Sequence, residues 1–382
     1  MIKSFTATTR EIDDAKAAVA EILAELDIES KLLKNSVGII SCFSEFGEEG
    51  VLQAVCDALP FDCIGATTCI CAAGTELDQV LLTITVLTSD DCSFDAVAIP
   101  ITSEYKEAIK AGLAPWLGER ESRPALILSY FPLMNEISGD VILDAVDAAT
   151  GGIPLFGTMT VDHMPDYATA TTIYNGETFR ETAVLCLVGG APEFSFEVAS
   201  FDKDKIRNQK AIITASEGNI LIGVNGKTAL EYLSEIGLTE NEVAAGLGII
   251  PLVIDHKDGT QPVARAAFAI TPDGHAVCGG AMPVGATLAL GHVDMEDVLR
   301  TTSDTMTPLV RGGSAILSYS CIARYTSLGA NFTSEAEKVR EVAAGTDYMF
   351  ACSGGEICPL PDANGKLKNF FHNYTIVFCR LS

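Results

Sequence analysis

The chain is poor in the residues that announce metal or haem chemistry. It has one tryptophan and five histidines in 382 residues. The histidines stand at 163, 256, 275, 292 and 372, and no two share a ligand spacing. HExxH, CxxCH and CxxC are all absent, which removes the common zinc and c-type haem motifs. Basic residues are also scarce, 25 against 51 acidic, for a net charge of −26. Such a chain repels nucleic acid and anionic lipid. Its apolar runs fall short of a membrane span. The start, MIKSFTATTREIDDAKAAVAEILAEL, lacks an uninterrupted apolar stretch, so no secretory signal is expected. Two phosphate-binding patterns fail as well. VNGKT (224–228) has Leu221 where the pattern needs glycine, so a hairpin turn is expected there. GLG (246–248) lacks its third glycine.

What is present suits a large folded protein. Apolar residues make up 48% of the chain, enough for a sizeable core and ample for two domains. Twelve cysteines are scattered singly, most of them in apolar runs. There a reduced thiol acts as a small hydrophobe, and a reducing, cytoplasmic setting is expected.

Three segments echo one another. VGIISCFS (37–44), PALILSYF (124–131) and SAILSYSC (314–321) are continuous apolar runs of strand length. Each precedes a helical stretch, at 48–58, 138–149 and 334–344. Each helix leads to another apolar run, at 63–74, 153–162 and 347–359, and a β-rich run closes each unit at 80–88, 182–190 and 374–382. The unit is strand–helix–strand–loop–strand. Continuous apolar strands need cover on both faces. The fold class is therefore α/β, with mixed sheets and outer helices built from repeated units.

A β-rich insert, 194–310, separates the second and third units. Asn225-Gly226 predicts a hairpin turn, Thr228 with Glu231 a capping box, and Asp294 a helix cap. Ser334 with Glu337 predicts another capping box. The N-terminus predicts an amphipathic helix with Ile12, Ala15, Val19, Ile22 and Leu26 on one face and a Thr8/Glu11 box. No Pro- or Ser-rich linker divides the chain, and the half-way boundary falls near 226–230.

Chemistry-bearing residues gather late in the sequence. Cys321 lies three residues before Arg324, and a nearby cation lowers a thiol pKa. A packed thiol at a strand end is the plainer alternative. CSGGEICP (352–359) places Glu356 on a glycine-rich bend. Positive φ is expected at Gly354 and Gly355, with amides open to a ligand, and Pro359 is expected to end the strand. Glu356 suits an ammonium group, and Arg324 or Arg265 suits a carboxylate. A buried Glu356–Arg324 ion pair is the competing reading.

SAILSYSCIAR, then YMFACSGGEICP, then FFHNYTIVF form an ordered series that resembles the FIST family. The earlier DCIGATTCICAAG, PLFGTMTVD and VARAAFAITPDGHAVCGGAMPVGATLAL fit it too. The resemblance implies a FIST N-terminal domain at 36–227 and a FIST C-terminal domain at 228–382, after a helical segment, 1–35. It implies a non-catalytic sensory domain for a small ligand, with amino acids proposed for the family. The residues it marks are Arg265, Cys321, Arg324, Ser353, Gly354, Gly355, Glu356 and Asn373. No output domain accompanies them, so signalling through a separate protein is expected, and a homo-oligomer is compatible. Three rivals stand beside this reading. One is an enzyme with Cys321 or Cys352 as nucleophile. Another is a haem-bearing nitric-oxide sensor using His163 or His292. The third is a scaffold whose glycine loops join subunits.

Overall fold

Strands that are apolar on both faces need two layers of cover, and this chain supplies them three times. The computed structural model describes all residues except 119–122, 135–136, 165–166, 209, 239–249, 258–261, 311–314 and 363. The first unit runs β1 (Lys3–Thr9), α1 (Ala15–Leu26), β2 (Asn35–Cys42), α2 (Val51–Asp57) and β3 (Asp62–Thr67). A short hairpin, β4 (Cys71–Ala73) and β5 (Glu76–Asp78), follows, and β6 (Leu82–Ser89) closes the unit. The second repeats this as β7 (Ser93–Pro100), α3 (Tyr105–Leu117), β8 (Leu126–Phe131), α4 (Gly139–Thr150) and β9 (Leu155–Met159). Its hairpin is β10 (Thr172–Tyr174) and β11 (Glu177–Phe179), and β12 (Thr182–Gly189) closes it.

The third unit opens with β13 (Phe194–Ala199) and then admits the insert. The insert holds β14 (Ala211–Glu217), β15 (Ile220–Val224), β16 (Lys227–Thr228), α5 (Ala229–Glu235) and β17 (Leu252–Asp255). It continues with β18 (Val263–Arg265), β19 (Ala267–Ile270), β20 (Ala276–Cys278) and β21 (Thr287–Leu290). The unit resumes with α6 (Met295–Met306), β22 (Ala315–Cys321), α7 (Ile322–Ser327), α8 (Ser334–Val342) and β23 (Asp347–Ser353). It ends with the hairpin β24 (Glu356–Pro361) and β25 (Leu367–His372), then β26 (Ile376–Leu381).

The three six-stranded sheets share one strand order: β1-β6-β2-β3-β10-β11, β7-β12-β8-β9-β24-β25 and β13-β26-β22-β23-β4-β5. In each, the central pair is parallel: β2 with β3, β8 with β9, and β22 with β23. Each unit sends its short hairpin into a neighbour's sheet. The second unit's hairpin joins the first sheet, the third's joins the second, and the first's joins the third. The exchange is cyclic, so no unit completes its own sheet.

The inner faces of all three sheets meet in one core, where Ile39, Ile64, Leu128, Phe156, Leu317 and Met349 are fully buried. Each such side chain contributes roughly 1.5–3 kcal/mol by leaving water. The Tyr130 and Tyr319 hydroxyls, inside that core, lie 2.9 Å apart. Outer faces are covered by helix pairs: α1 and α2, α3 and α4, α6 and α8. The insert has a core of its own, from Ile213, Leu221, Leu233, Leu252 and Leu288 among others.

Several local expectations are met. Asn225 and Gly226 turn at φ 52° and 79°, as a tight hairpin requires. Thr228 and Glu231 form the capping box, and Asp294 caps α6. Others are corrected. Residues 3–9 form a strand paired with β6, so Thr8 lies in β1, and its amide donates to Glu25. Asp14, not Thr8, caps α1. At α8, Thr333 precedes the helix and Ser334 is its first residue. The Thr333 hydroxyl donates to the Glu337 carboxylate, with no capping bond to a backbone amide.

Candidate functional site

The carboxyl ends of the parallel strands β22 and β23 lie side by side, Cys321 opposite Ser353. Such ends are where α/β sheets tend to gather ligands. The chain then leaves the third sheet for the second through Ser353-Gly354-Gly355-Glu356. Neither glycine has positive φ, and neither amide is open, contrary to the sequence expectation. Gly354 N donates to Met159 O at 3.1 Å, and Gly355 N to Ser353 Oγ at 3.0 Å. Lack of bulk is what matters. A Cβ on Gly354 would sit 2.6 Å from Thr160 O, and one on Gly355 would sit 2.1 Å from the Phe371 ring. Strand β24 continues to Pro361, so Pro359 does not end it. Its pairing with β9 covers only Glu356 and Ile357, which leaves that side of Pro359 free of ladder bonds.

Glu356 begins β24, in register with Thr158 on one side and His372 on the other, and is fully buried. Thr375 Oγ1 donates to its Oε2 at 2.7 Å. Its Oε1 has no hydrogen-bond partner among the described residues. Burial pushes this carboxyl up to about 8, although the hydroxyls of Thr375 and Ser353 and the charge of Arg324 pull the other way.

Arg324 does not pair with Glu356. Its partner is Glu335 of α8: Nη2 and Nε donate to Glu335 Oε1 at 2.7 and 3.0 Å. Nη2 also reaches Val298 O and Thr302 Oγ1, both at 3.0 Å. Thr302 and Ser320 hydroxyls each donate to Glu335 at 2.6 Å. This closed network fastens α7 to α6 and α8. Only Nη1 of Arg324 is without a partner among the described residues.

Arg265, at the end of β18, is 4% exposed and forms no ion pair among the described residues. Its Nη1 donates to Ala264 O and Phe371 O, each at 3.0 Å, and the guanidinium lies 5.9 Å from the Phe371 ring centre. Nε has no partner among the described residues. Burial pulls its pKa down, with Asp140 opposing weakly. The Asp140 carboxylate is itself engaged by Ser138 Oγ at 2.6 Å and Ala281 N at 2.5 Å.

Asn373 and Tyr374 complete the cluster. Asn373 Oδ1 and the Tyr374 hydroxyl are buried and partnerless among the described residues. The insert approaches through Gly279 and Gly280, where a Cβ would meet Asn373 Oδ1 at 2.5 Å and Arg265 Nε at 2.6 Å. The seam is lined by Ala264, Val293, Val298, Leu328 and Tyr374.

All twelve cysteines are free and buried. Cys321 N donates to Thr375 O at 2.9 Å. Burial, reinforced by Glu356, pushes its thiol well above the ordinary value, and Arg324 offsets this only in part. Cys352 shifts the same way, through burial and the neighbouring Cys69. Burial thus shifts the Cys321 thiol the opposite way from the activation that its spacing to Arg324 suggested. The His163 ring lies tilted against Phe43, with centroids 4.4 Å apart, and the exposed His292 lies 3.8 Å from Asp294, both outside the cluster. Among the described residues no group of three or more His, Cys, Asp or Glu is placed to hold a metal ion.

The structure thus gathers Arg265, Cys321, Ser353, Glu356 and Asn373 around one seam, with Arg324 at its edge and Gly354 and Gly355 as the bend that admits Glu356. Sequence reasoning missed Tyr374, Glu335 and the Gly279-Gly280 approach. Glu335 had a readable signal. It shares a helix face with Ala336, Val339 and Ala343, all buried, so it is a charge on an apolar stripe.

Fold and cluster together define an α/β protein with a buried seam that holds a guanidinium and a carboxyl, each incompletely bonded among the described residues. The family follows from comparison. A model of the FIST N domain matches residues 36–227 and one of the FIST C domain matches 229–359, so the chain belongs to the FIST family. FIST domains are sensory domains that bind small ligands. No curated protein matches the chain in sequence. Among solved structures, a cyanuric acid hydrolase from A. caulinodans aligns over 99% of this chain and 98% of its own, at 7% identity and a TM-score of 0.39. That likeness is too distant to bear on chemistry. No helix among the described residues is long and apolar enough to cross a membrane.

Proposed function

We propose that this FIST protein is a non-catalytic cytoplasmic sensor for a small dipolar metabolite, an amino acid or close analogue. The ligand carboxylate meets Arg265 and its ammonium group meets Glu356, and a separate output protein reads the occupied state. One observation carries this reading. A buried cation without an ion-pair partner and a buried carboxyl with a free oxygen, both among the described residues, flank one strand: Arg265 donates to Phe371 O, and Glu356 is in register with His372. A guanidinium is costly to bury without an anion, and its planar edge fits a carboxylate. A cation and a carboxyl that gives up its proton as an ammonium group arrives match the two ends of an amino acid. A cysteine enzyme is disfavoured, because both candidate thiols are shifted away from the thiolate.

The test begins with mass spectrometry of small molecules released from purified protein. Calorimetry and thermal shift with amino acids, their neutral amides and their des-amino acids follow. Amino acids should stabilise the protein and the derivatives should not. Arg265→Lys keeps the charge but loses the planar fork, and should weaken binding about tenfold, ~1.4 kcal/mol. Equal binding of carboxylate and amide would refute the clamp. A Soret band in the purified protein would move the assignment to a haem sensor.

A further inference from the structure

We infer that Tyr374 is a third recognition point of this site and selects ligands whose side group can hydrogen-bond. The inference rests on the amino-acid reading above and adds a determinant that the charged pair does not supply.

Tyr374 lies in the turn between β25 and β26, with φ at 59°. Five other described non-glycine residues have positive φ, namely Asp27, Tyr167, Asn175, Asn225 and Lys257, and none of these is buried. Tyr374 is 0% exposed. A bulky side chain is disfavoured in that backbone region, so the surroundings must hold it there. The ring packs among Ala264, Val298 and Leu328. A phenyl ring would fill the same apolar space without a hydroxyl to satisfy. A buried hydroxyl with no partner is a cost that packing does not require.

The hydroxyl is also well placed. The Cys321 and Cys278 thiols both lie within its electrostatic reach, one from the third unit and one from the insert. Arg265 in turn acts on Cys278. The residues on either side of Tyr374 belong to the site: Asn373 has a partnerless acceptor beside Gly279, and Thr375 holds one oxygen of Glu356. Burial pushes the phenol upward, so it keeps its proton through neutral pH and can both donate and accept. A ligand side group bearing a hydroxyl or amide would meet Tyr374 and Asn373 together, whereas an apolar group of equal size would leave both unpaired.

The experiment compares L-threonine with L-valine and L-asparagine with L-leucine, by calorimetry on the full chain and on Tyr374→Phe. In the native protein the polar member should bind tighter by on the order of tenfold or more. In Tyr374→Phe that ratio should fall toward one. The variant's ligand-free urea midpoint should be unchanged or raised, because the lost hydroxyl is buried without a partner among the described residues. A ratio unchanged in the variant, or a lowered ligand-free midpoint, would overturn the inference. Equal binding within both pairs by the native protein would overturn it too, while leaving the amino-acid reading intact. No binding by any standard amino acid would refute that reading, and this inference with it.

Discussion

Replacing Glu356 with glutamine tests the charge state on which the site depends. Its carboxyl titrates near 8 in the folded chain and near 4.5 when exposed. Between those values the folded state holds a proton that the unfolded state has released. Stability is therefore full below about 4.5 and is lost as pH rises toward 8. His372 works in the opposite direction. Burial lowers it from 6.5 to about 4, so its contribution is present above 6.5 and lost as pH falls through 4. The two effects oppose one another below 6.5. From 6.5 to 8 Glu356 dominates, and each unit of pH costs up to ~1.4 kcal/mol.

Across that window the Glu356 contribution should fall by about 1.5 kcal/mol, allowing for its half-titration at the upper end. Glutamine keeps the shape and the hydrogen bond from Thr375 but carries no titrating proton. The variant's stability should therefore be flat or rise slightly from 6.5 to 8, while the native protein declines. Urea unfolding at the two pH values measures this, in the absence of added ligand. Trp116, the single tryptophan, lies in α3 against the core of the second unit. Glu356 is threaded into the sheet of that unit, so the fluorescence reports the relevant body. The same decline in native protein and variant would refute the argument that Glu356 is neutral at rest.

Two further substitutions probe the frame of the site. Glu335→Gln removes the only carboxylate paired with buried Arg324 among the described residues, and should cost about 3–5 kcal/mol in urea unfolding. A change under about 1 kcal/mol would show that the pair is solvated and not structural. Gly355→Ala drives a methyl group into Phe371 and should cost about 1–3 kcal/mol, partly recovered by Phe371→Leu. Full stability of the single variant would remove the close-packing account of that glycine.

Much of the scaffold was legible because fully buried strands are continuous apolar runs. β8 and β22 fall within their echoing segments, and β2 overlaps its own in all but its first two residues. The exchange of hairpins was not legible. Strands of three residues, such as β4 and β10, carry no usable periodicity, and their partners lie in other units. β1 does alternate, with Phe5, Ala7 and Thr9 buried, but its polar threonines resemble a helix entry as readily as an edge strand. The pairing error at Arg324 has a different origin. Glu356 and Glu335 both lie downstream of Arg324, and spacing cannot choose between them. The helix face carrying Glu335 decides it. At Gly354 and Gly355 the residue type is informative but its cause is ambiguous, since glycine serves positive φ and close approach equally well.

The location of the cluster follows from where the threefold pattern is broken. In the first two units the chain passes from Thr9 to Ala15 and from Pro100 to Tyr105 before its outer helix begins. In the third, the same connection runs from Ala199 to Met295 and contains the insert. Arg265 therefore reaches the seam only in this unit. Glu356 arrives by a feature that all three units share, the hairpin that leaves its own sheet for a neighbour's. Where the first and second units meet, the polar groups are settled. Asp162 accepts from the amides of Met164 and Thr169 at 2.8 and 2.6 Å, and the Thr169 hydroxyl lies 3.1 Å from that of Ser44. At the third unit they are not. Among the described residues seven buried side-chain atoms lack a hydrogen-bond partner, and five belong to Arg265, Arg324, Glu356, Asn373 and Tyr374. Folding alone rarely leaves such atoms together, because each costs free energy that an apolar side chain would not. The repeat builds the frame, and the insertion supplies the wall that the proposed recognition site at this strand end requires.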